Sequence, residues 1–214
     1  YVKSNSVFPS DINKNYRVCF FTLHLEPEVA LMNFSPEFNN SFEAISWISK
    51  SLPADTLLVV KEQVHSFGVR SLWYYSQLNK ISNVVLANPE SHSWDWIKRA
   101  SIVSTISGTV GVEAVHFNKP VVSFGMHQII NHLPTVHYVS NFTETKEAVS
   151  NFLDSDISEE EYNASRISLE KAQLDSSFEL AEYKYSHKRN QLEMKMAEVA
   201  LRNLFIEYSD VISL

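Results

Sequence analysis

The residues with the most chemical reach fall in four short segments, each just after an apolar run. His24, Glu26 and Glu28 lie in LHLEPE, and Lys61, Glu62, Gln63, His65 and Arg70 lie in KEQVHSFGVR. Ser107, Gly108, Thr109 and Glu113 lie in STISGTVGVEA, and Gly125 and His127 in SFGMHQ. A carboxylate at Glu26 or Glu28, or the His24 imidazole, could take a proton from a hydroxyl or orient it. A charged turn around Pro27 would explain the same two glutamates equally well. Lys61, Glu62 and His65 bring a cation, an anion and a titratable ring to one loop, which suits phosphate handling; a solvated loop would explain any one of them.

The Ser-Gly-Thr segment is the most informative. It runs straight from an apolar strand into a helical pattern, so the amides of Gly108, Thr109 and Val110 stand at the positive end of a helix, where phosphate binds. The Ser107 and Thr109 hydroxyls could add donors, and Glu113, one turn on, could accept from a ribose hydroxyl. The alternative is a plain Thr-capped helix. The chain has four glycines, Gly68, Gly108, Gly111 and Gly125, and all fall in these loops or the turns that follow. His127 and His132 are five apart, and neither they nor His116 make a ligand set with Cys19, so no metal site is expected.

Loops of this kind need a sheet to hold them. Arg17–Leu25 reads as a buried strand, Ser41–Leu52 as an amphipathic helix behind a Ser cap, Thr56–Lys61 as a strand, and Ser71–Lys80 as a helix. Strand Asn83–Ala87, helix Ser93–Ala100, strand Ile102–Ile106, helix Thr109–Phe117 and strand Pro120–Phe124 follow. A weaker strand, Val136–Val139, precedes helix Glu144–Leu153. Such alternation predicts right-handed crossovers and a doubly wound parallel sheet, an α/β Rossmann-like fold. From Ser158 onward two charged helices are expected. The predicted organisation is therefore a Rossmann-like domain over residues 1–155 and a helical extension over 156–214, packed on it or on a further domain.

Composition narrows the function classes. A formal charge of −7 over 214 residues argues against a nucleic-acid partner. A single cysteine, Cys19, allows no internal disulfide and fits a reducing cytoplasm. The first residues show neither a signal pattern nor a run approaching the roughly 20 apolar residues of a membrane span. Because the chain opens on Tyr1, it is expected to be a piece of something longer.

Taken in order, the loops resemble the C-terminal half of the capsule polysaccharide biosynthesis glycosyltransferases, of GT-B type, a group that includes Kdo transferases and is distantly similar to bacterial sialyltransferases. The resemblance covers roughly residues 16–150. It rests on LHLEPE, the VVKE strand end followed by GVRS and a Tyr-rich helix, NVVLANPESHS, and above all STISGTVGVEAVHFNKPVVSFG, with Asn118, Lys119 and Pro120 at a GKP-like turn. It implies a nucleotide-sugar domain in which Ser107, Gly108 and Thr109 meet phosphate and Glu113 meets ribose or base, with Lys61, Glu62 and His65 nearby. Family members carry Lys-Glu-His-Pro after the second strand. Here the run is Lys61, Glu62, Gln63, Val64, and His65 lies two places late. That departure implies a different nucleotide, a loop in which His65 substitutes, or a domain that no longer turns over.

The resemblance further implies an inverting, metal-independent transfer from a CMP-sugar, or next a UDP-sugar, to a surface polysaccharide or glycolipid. No cofactor is expected, the nucleotide sugar being a substrate. An N-terminal domain would supply most of the acceptor site, so this piece alone is expected to be inactive. A lipid acceptor would require peripheral association with the inner face of the bacterial plasma membrane. Alternatives are a nucleotide-sugar epimerase of the same fold and a non-catalytic module binding carbohydrate or a partner in a glycan-assembly protein.

Overall fold

The computed structural model describes residues 2–26, 31–32, 35–38, 40–63, 66 and 69–176. Glu28, His65, Gly68 and the second charged helix, residues 187–205, lie outside the described residues. The strands are β1 (Ser6–Val7), β2 (Arg17–Thr22), β3 (Thr56–Lys61), β4 (Val84–Ala87), β5 (Ile102–Thr105), β6 (Val121–Ser123) and β7 (Val136–Tyr138). The α-helices are α1 (Ser41–Ser51), α2 (Leu72–Leu78), α3 (Ser93–Arg99), α4 (Thr109–His116), α5 (Phe142–Asp154) and α6 (Glu159–Ser176). The chain divides into two compact units, Tyr1–Arg166 and Ile167–Leu214, and the first holds the whole sheet.

That sheet is parallel throughout, in the order β1-β4-β3-β2-β5-β6-β7. It is the doubly wound α/β arrangement the sequence alternation predicts. Growth from β2 through β3 to β4 runs one way and growth from β5 to β7 runs the other. Right-handed crossovers must then put the helices of the two runs on opposite faces. They do: α1 and α2, joined by α5 from beyond β7, share a core with Cys19, Phe21, Leu58 and Val60, the residues on one face of β2 and β3, while α4 lies on the other face, where a Cβ at Gly111 would stand 3.7 Å from Val121 Cγ1. On the other face Phe20 stacks on Trp96 of α3, ring centroids 6.2 Å apart. The Trp96 indole N–H donates to Ser91 Oγ at 2.7 Å, so this large ring is buried without an orphaned donor.

β2 is central, and Val18, Cys19, Phe20 and Phe21 are all fully buried. Covered on both sides, such a strand reads as a continuous apolar run. Burial of each Phe contributes about 1.5–3 kcal/mol. Among these side chains the Cys19 thiol is pushed up to about 12, chiefly by burial, with Ser104 opposing as a hydrogen-bond partner.

Three expectations shift in detail. The N-terminal strand β1, which pairs with β4, has no counterpart in the sequence reading. The cap of α1 is Asn40, whose Oδ1 accepts from the Phe42 amide at 2.9 Å, because Ser41 turns its hydroxyl to Glu26 instead. β2 ends at Thr22, leaving Leu23–Glu26 as irregular backbone over the sheet edge. The acidic start of α6 is a capping arrangement: Ser158 N–H and Oγ both donate to Glu161 Oε2, at 2.9 and 2.8 Å, and the Glu161 amide returns to Ser158 Oγ.

At the end of α4 the chain must reverse tightly into β6. Asn118 has φ 52°, the left-handed region, and its amide and that of Lys119 close back on Val115 and Ala114 at 3.1 and 2.9 Å. Asparagine is the non-glycine residue best suited to that conformation, which explains how it stands where a GKP-like turn would have glycine.

Candidate functional site

A doubly wound sheet opens a crevice where neighbouring strands send their chains in opposite directions, beyond their carboxyl ends. Here that point lies between β2 and β5. The loop after β2 carries His24 and Glu26, and the loop after β5 carries Ser107, Gly108 and Thr109. The structure brings these two loops into contact. The Ser107 amide donates to His24 Nε2 at 3.4 Å, and the Gly108 amide donates to Thr105 Oγ1 at 3.0 Å. A Cβ on Gly108 would stand 3.1 Å from His24 Cε1 and 3.2 Å from Thr105 Oγ1, so a larger residue here would push these side chains back by a few tenths of an ångström.

His24 is buried, and burial lowers its pKa to about 4; the Glu26 carboxylate opposes the shift and the Arg70 cation adds to it. The ring is therefore neutral at pH 7, as it must be to accept at Nε2. Helices α1, α2, α3 and α5 each begin with a side chain accepting from the first turn: Asn40, Ser71, His92 and Asn141. α4 begins at Gly108 without a side-chain cap. Its first amides thus stand open at the crevice, with the dipole favouring an anion there. Ser107 Oγ beside them is buried with no partner among the described residues.

Glu113, expected at a ribose, has both oxygens engaged: Oε2 accepts from the Trp94 indole at 2.9 Å and Oε1 from Thr109 Oγ1 at 3.4 Å. The spacing of four on α4 brings Thr109 and Glu113 together. A ribose hydroxyl would join or displace one of these contacts.

The second cluster centres on Arg70. Its Nε pairs with Glu62 Oε2 at 2.9 Å, its Nη1 with Glu26 Oε2 at 2.6 Å, and its Nη2 donates to the His24 carbonyl at 2.5 Å. Glu62 also accepts from Tyr75 Oη at 2.7 Å and from the Gln63 amide at 2.8 Å. Glu26 accepts in addition from the Ser41 amide at 2.9 Å and from the Ser41 hydroxyl. Lys61 and Glu62 are buried, and Lys61 Nζ reaches the Glu62 carbonyl at 3.5 Å. Burial depresses the Lys61 pKa, while the charge of Glu62 raises it. In this arrangement Arg70 ties Glu26 and the His24 carbonyl of the β2 loop to Glu62 at the end of β3. Both Glu26 oxygens are thus engaged, one by Ser41 and the other by Arg70.

The sequence reading noted Arg70 only as charge on a loop. Its partners lie 44 and 8 positions away, a separation no local pattern reports. Trp94 was likewise read only as part of a helix, although it anchors Glu113.

No family model and no curated protein matches the chain. Solved structures do. The glycotransferase of kitacinnamycin has TM-score 0.50 and 14% identity over 75% of this chain and 41% of that one. The Methanocaldococcus jannaschii UDP-GlcNAc 2-epimerase, solved with UDP-GlcNAc and UDP, has TM-score 0.51 and 15% identity over 77% of this chain and 47% of that one. The Thermosulfurimonas dismutans KpsC beta Kdo 2,7 transferase has TM-score 0.48 and 17% identity over 64% of this chain and 46% of that one. At these identities the shared property is the Rossmann-like α/β fold. The chain spans less than half the length of each of these structures.

Proposed function

We propose that this chain is the nucleotide-sugar-binding half of a GT-B glycosyltransferase. The observation that carries the reading is the β5–α4 turn: an uncapped helix end at the sheet's switch point, flanked by a Ser107 hydroxyl with no partner among the described residues. The amides of Thr109 and Val110 and the hydroxyls of Ser107 and Thr109 would receive the donor phosphate. Their dipoles would stabilise the charge that grows on it as the glycosidic bond breaks. Helix end and hydroxyls together would fill the role a divalent metal has in other transferases, which supports a metal-independent transfer; the inverting course follows from the resemblance alone. Glu113 would receive a ribose hydroxyl.

A CMP-sugar is the favoured donor by resemblance, and a UDP-sugar is next, with a surface polysaccharide or glycolipid as acceptor. Half a cleft does not align two substrates, so transfer needs a second domain that binds the acceptor. Among the described residues no helix is long and apolar enough to cross a membrane. By the same resemblance, contact with a lipid acceptor would be peripheral, at the cytoplasmic face.

A nucleotide-sugar epimerase is the second reading, favoured by the fold shared with the Methanocaldococcus jannaschii enzyme. The test is a thermal shift with CMP, UDP, GDP and ADP on the native chain and on a Ser107→Ala, Thr109→Ala variant. At ten times Kd a ligand adds about 1.4 kcal/mol, or about 3–6 °C for a domain of this size. A shift with one nucleotide that the variant loses supports the donor site. No shift with any of the four removes it.

A further inference from the structure

Of the carboxylates around the crevice, Glu26 and Glu62 are locked to the Arg70 cation. Glu113 is held by neutral donors: Oε2 accepts from the Trp94 indole at 2.9 Å and Oε1 from Thr109 Oγ1 at 3.4 Å, and among the described residues no cation pairs with it. We propose that Trp94 is a positioning residue for ribose recognition, fixing Glu113 through Oε2 so that Oε1 takes a ribose hydroxyl once phosphate draws the Thr109 hydroxyl away. The proposal rests on the nucleotide-binding reading above. It goes beyond that reading by naming the residue that sets a preference for ribose and by coupling the ribose and phosphate contacts.

Trp94 stands in the first turn of α3, the helix that packs beside α4. It is 48% exposed, and an indole so exposed is ordinarily free to change rotamer. Here it is held at three points. Its amide donates to His92 Nδ1 at 3.2 Å, its ring meets those of His92 and Phe117 at steep angles with centroids 5.2 and 5.8 Å away, and its Nε1 is spent on Glu113. His92 caps α3 and Phe117 closes α4, so the indole bridges the two helices. An indole N–H is a neutral donor and nothing else. It fixes the carboxylate without pairing its charge, and Oε1 keeps the acceptor strength of an ionised group.

The Thr109 contact links this carboxylate to the phosphate. A hydroxyl has one proton to give. While that proton points to Glu113 Oε1, the Thr109 oxygen offers only lone pairs elsewhere, and these repel a phosphate oxygen. Phosphate at the start of α4 therefore binds with the Thr109 hydroxyl turned toward it and Oε1 vacated. A ribose hydroxyl donating to Oε1 replaces the lost bond, so each contact lowers the cost of the other, and the coupling is reciprocal. Thr109 and Glu113 are four residues apart, about 6 Å of rise along α4, a span that a nucleotide covers between its 5′-phosphate and its 2′ and 3′ hydroxyls. The class selected is a ribonucleotide, over its dideoxy form.

Isothermal titration calorimetry on the whole chain tests this, with CMP, UDP, GDP and ADP and the 2′,3′-dideoxy form of each. The native chain should prefer the ribonucleotide about tenfold, the effect of one hydrogen bond to a charged group. Trp94→Phe keeps a ring between His92 and Phe117 and removes the N–H. Its preference should fall to about twofold, with dideoxy binding unchanged. Thr109→Val should weaken both forms and keep the preference, because it removes a phosphate donor and leaves Glu113 in place. Both ligands are measured on the same protein, so a variant of lower stability still yields the ratio. Trp94→Phe that keeps the tenfold preference, or weakens both forms equally, overturns the positioning role while nucleotide binding stands. Equal affinity of the native chain for the two forms overturns it as well. If none of the four nucleotides binds the native chain, the nucleotide-binding reading falls and this inference falls with it.

Discussion

The neutral, buried His24 makes the stability of this protein depend on pH between about 7 and 4.5. Its folded pKa is about 4, against an ordinary value of 6.5. Above pH 6.5 neither state binds the proton and the full stability is present. As pH falls the unfolded chain takes up the proton first, so stability declines until the folded pKa is reached near pH 4. At pH 4.5 the unfolded ring is almost wholly protonated and the folded ring about one-quarter so. The difference relative to pH 7 is about 2.5 kcal/mol. Urea unfolding of the native chain and of His24→Gln at several pH values between 7 and 4.5 measures it. The other histidines are common to both proteins and cancel in the comparison. The native chain should lose about 2.5 kcal/mol more than the variant across the window, whatever the variant's starting stability. Equal slopes for the two proteins would refute the burial of a neutral ring at this contact.

Three further outcomes follow from the same geometry. Arg70→Met removes the cation from two carboxylates whose side chains are 17% and 2% exposed, and chemical denaturation should show a loss of about 3–5 kcal/mol. Arg70→Lys should recover only part of it, because one ammonium cannot span three acceptors fixed around a planar fork. Asn118→Val places a β-branched residue at a φ of 52° and should cost about 1–2 kcal/mol, while Asn118→Gly should match or exceed the native melting temperature. Gly125→Ala drives a methyl group into the Ile106 carbonyl oxygen, so a loss of about 1–3 kcal/mol is expected in the same denaturation assay.

What the sequence made legible is what parallel sheets print most plainly. β2 and β3 are covered on both faces, so RVCFFT and TLLVVK are nearly unbroken apolar runs, and the helices between strands carry a 3.6-residue period. β1 escaped notice because a two-residue strand has no period and gains its identity only from pairing with β4. The site shows the same division. Ser107, Gly108 and Thr109 are local, one turn between a strand and a helix, and they meet the β2 loop as the alternation implied. The roles of Glu62 and Glu26 were not legible, because both depend on Arg70, a residue brought to them by the fold and not by spacing.

The single cysteine lies at the middle of β2, fully enclosed, with its thiol held protonated far above neutral pH. A reagent in solution can touch that sulfur only in molecules whose central strand has come away from its neighbours. Alkylation of Cys19 is therefore a clock that advances only during such openings. Run in plain buffer, without urea or heat, it times how often the sheet separates, and it would rank every variant named above on one scale.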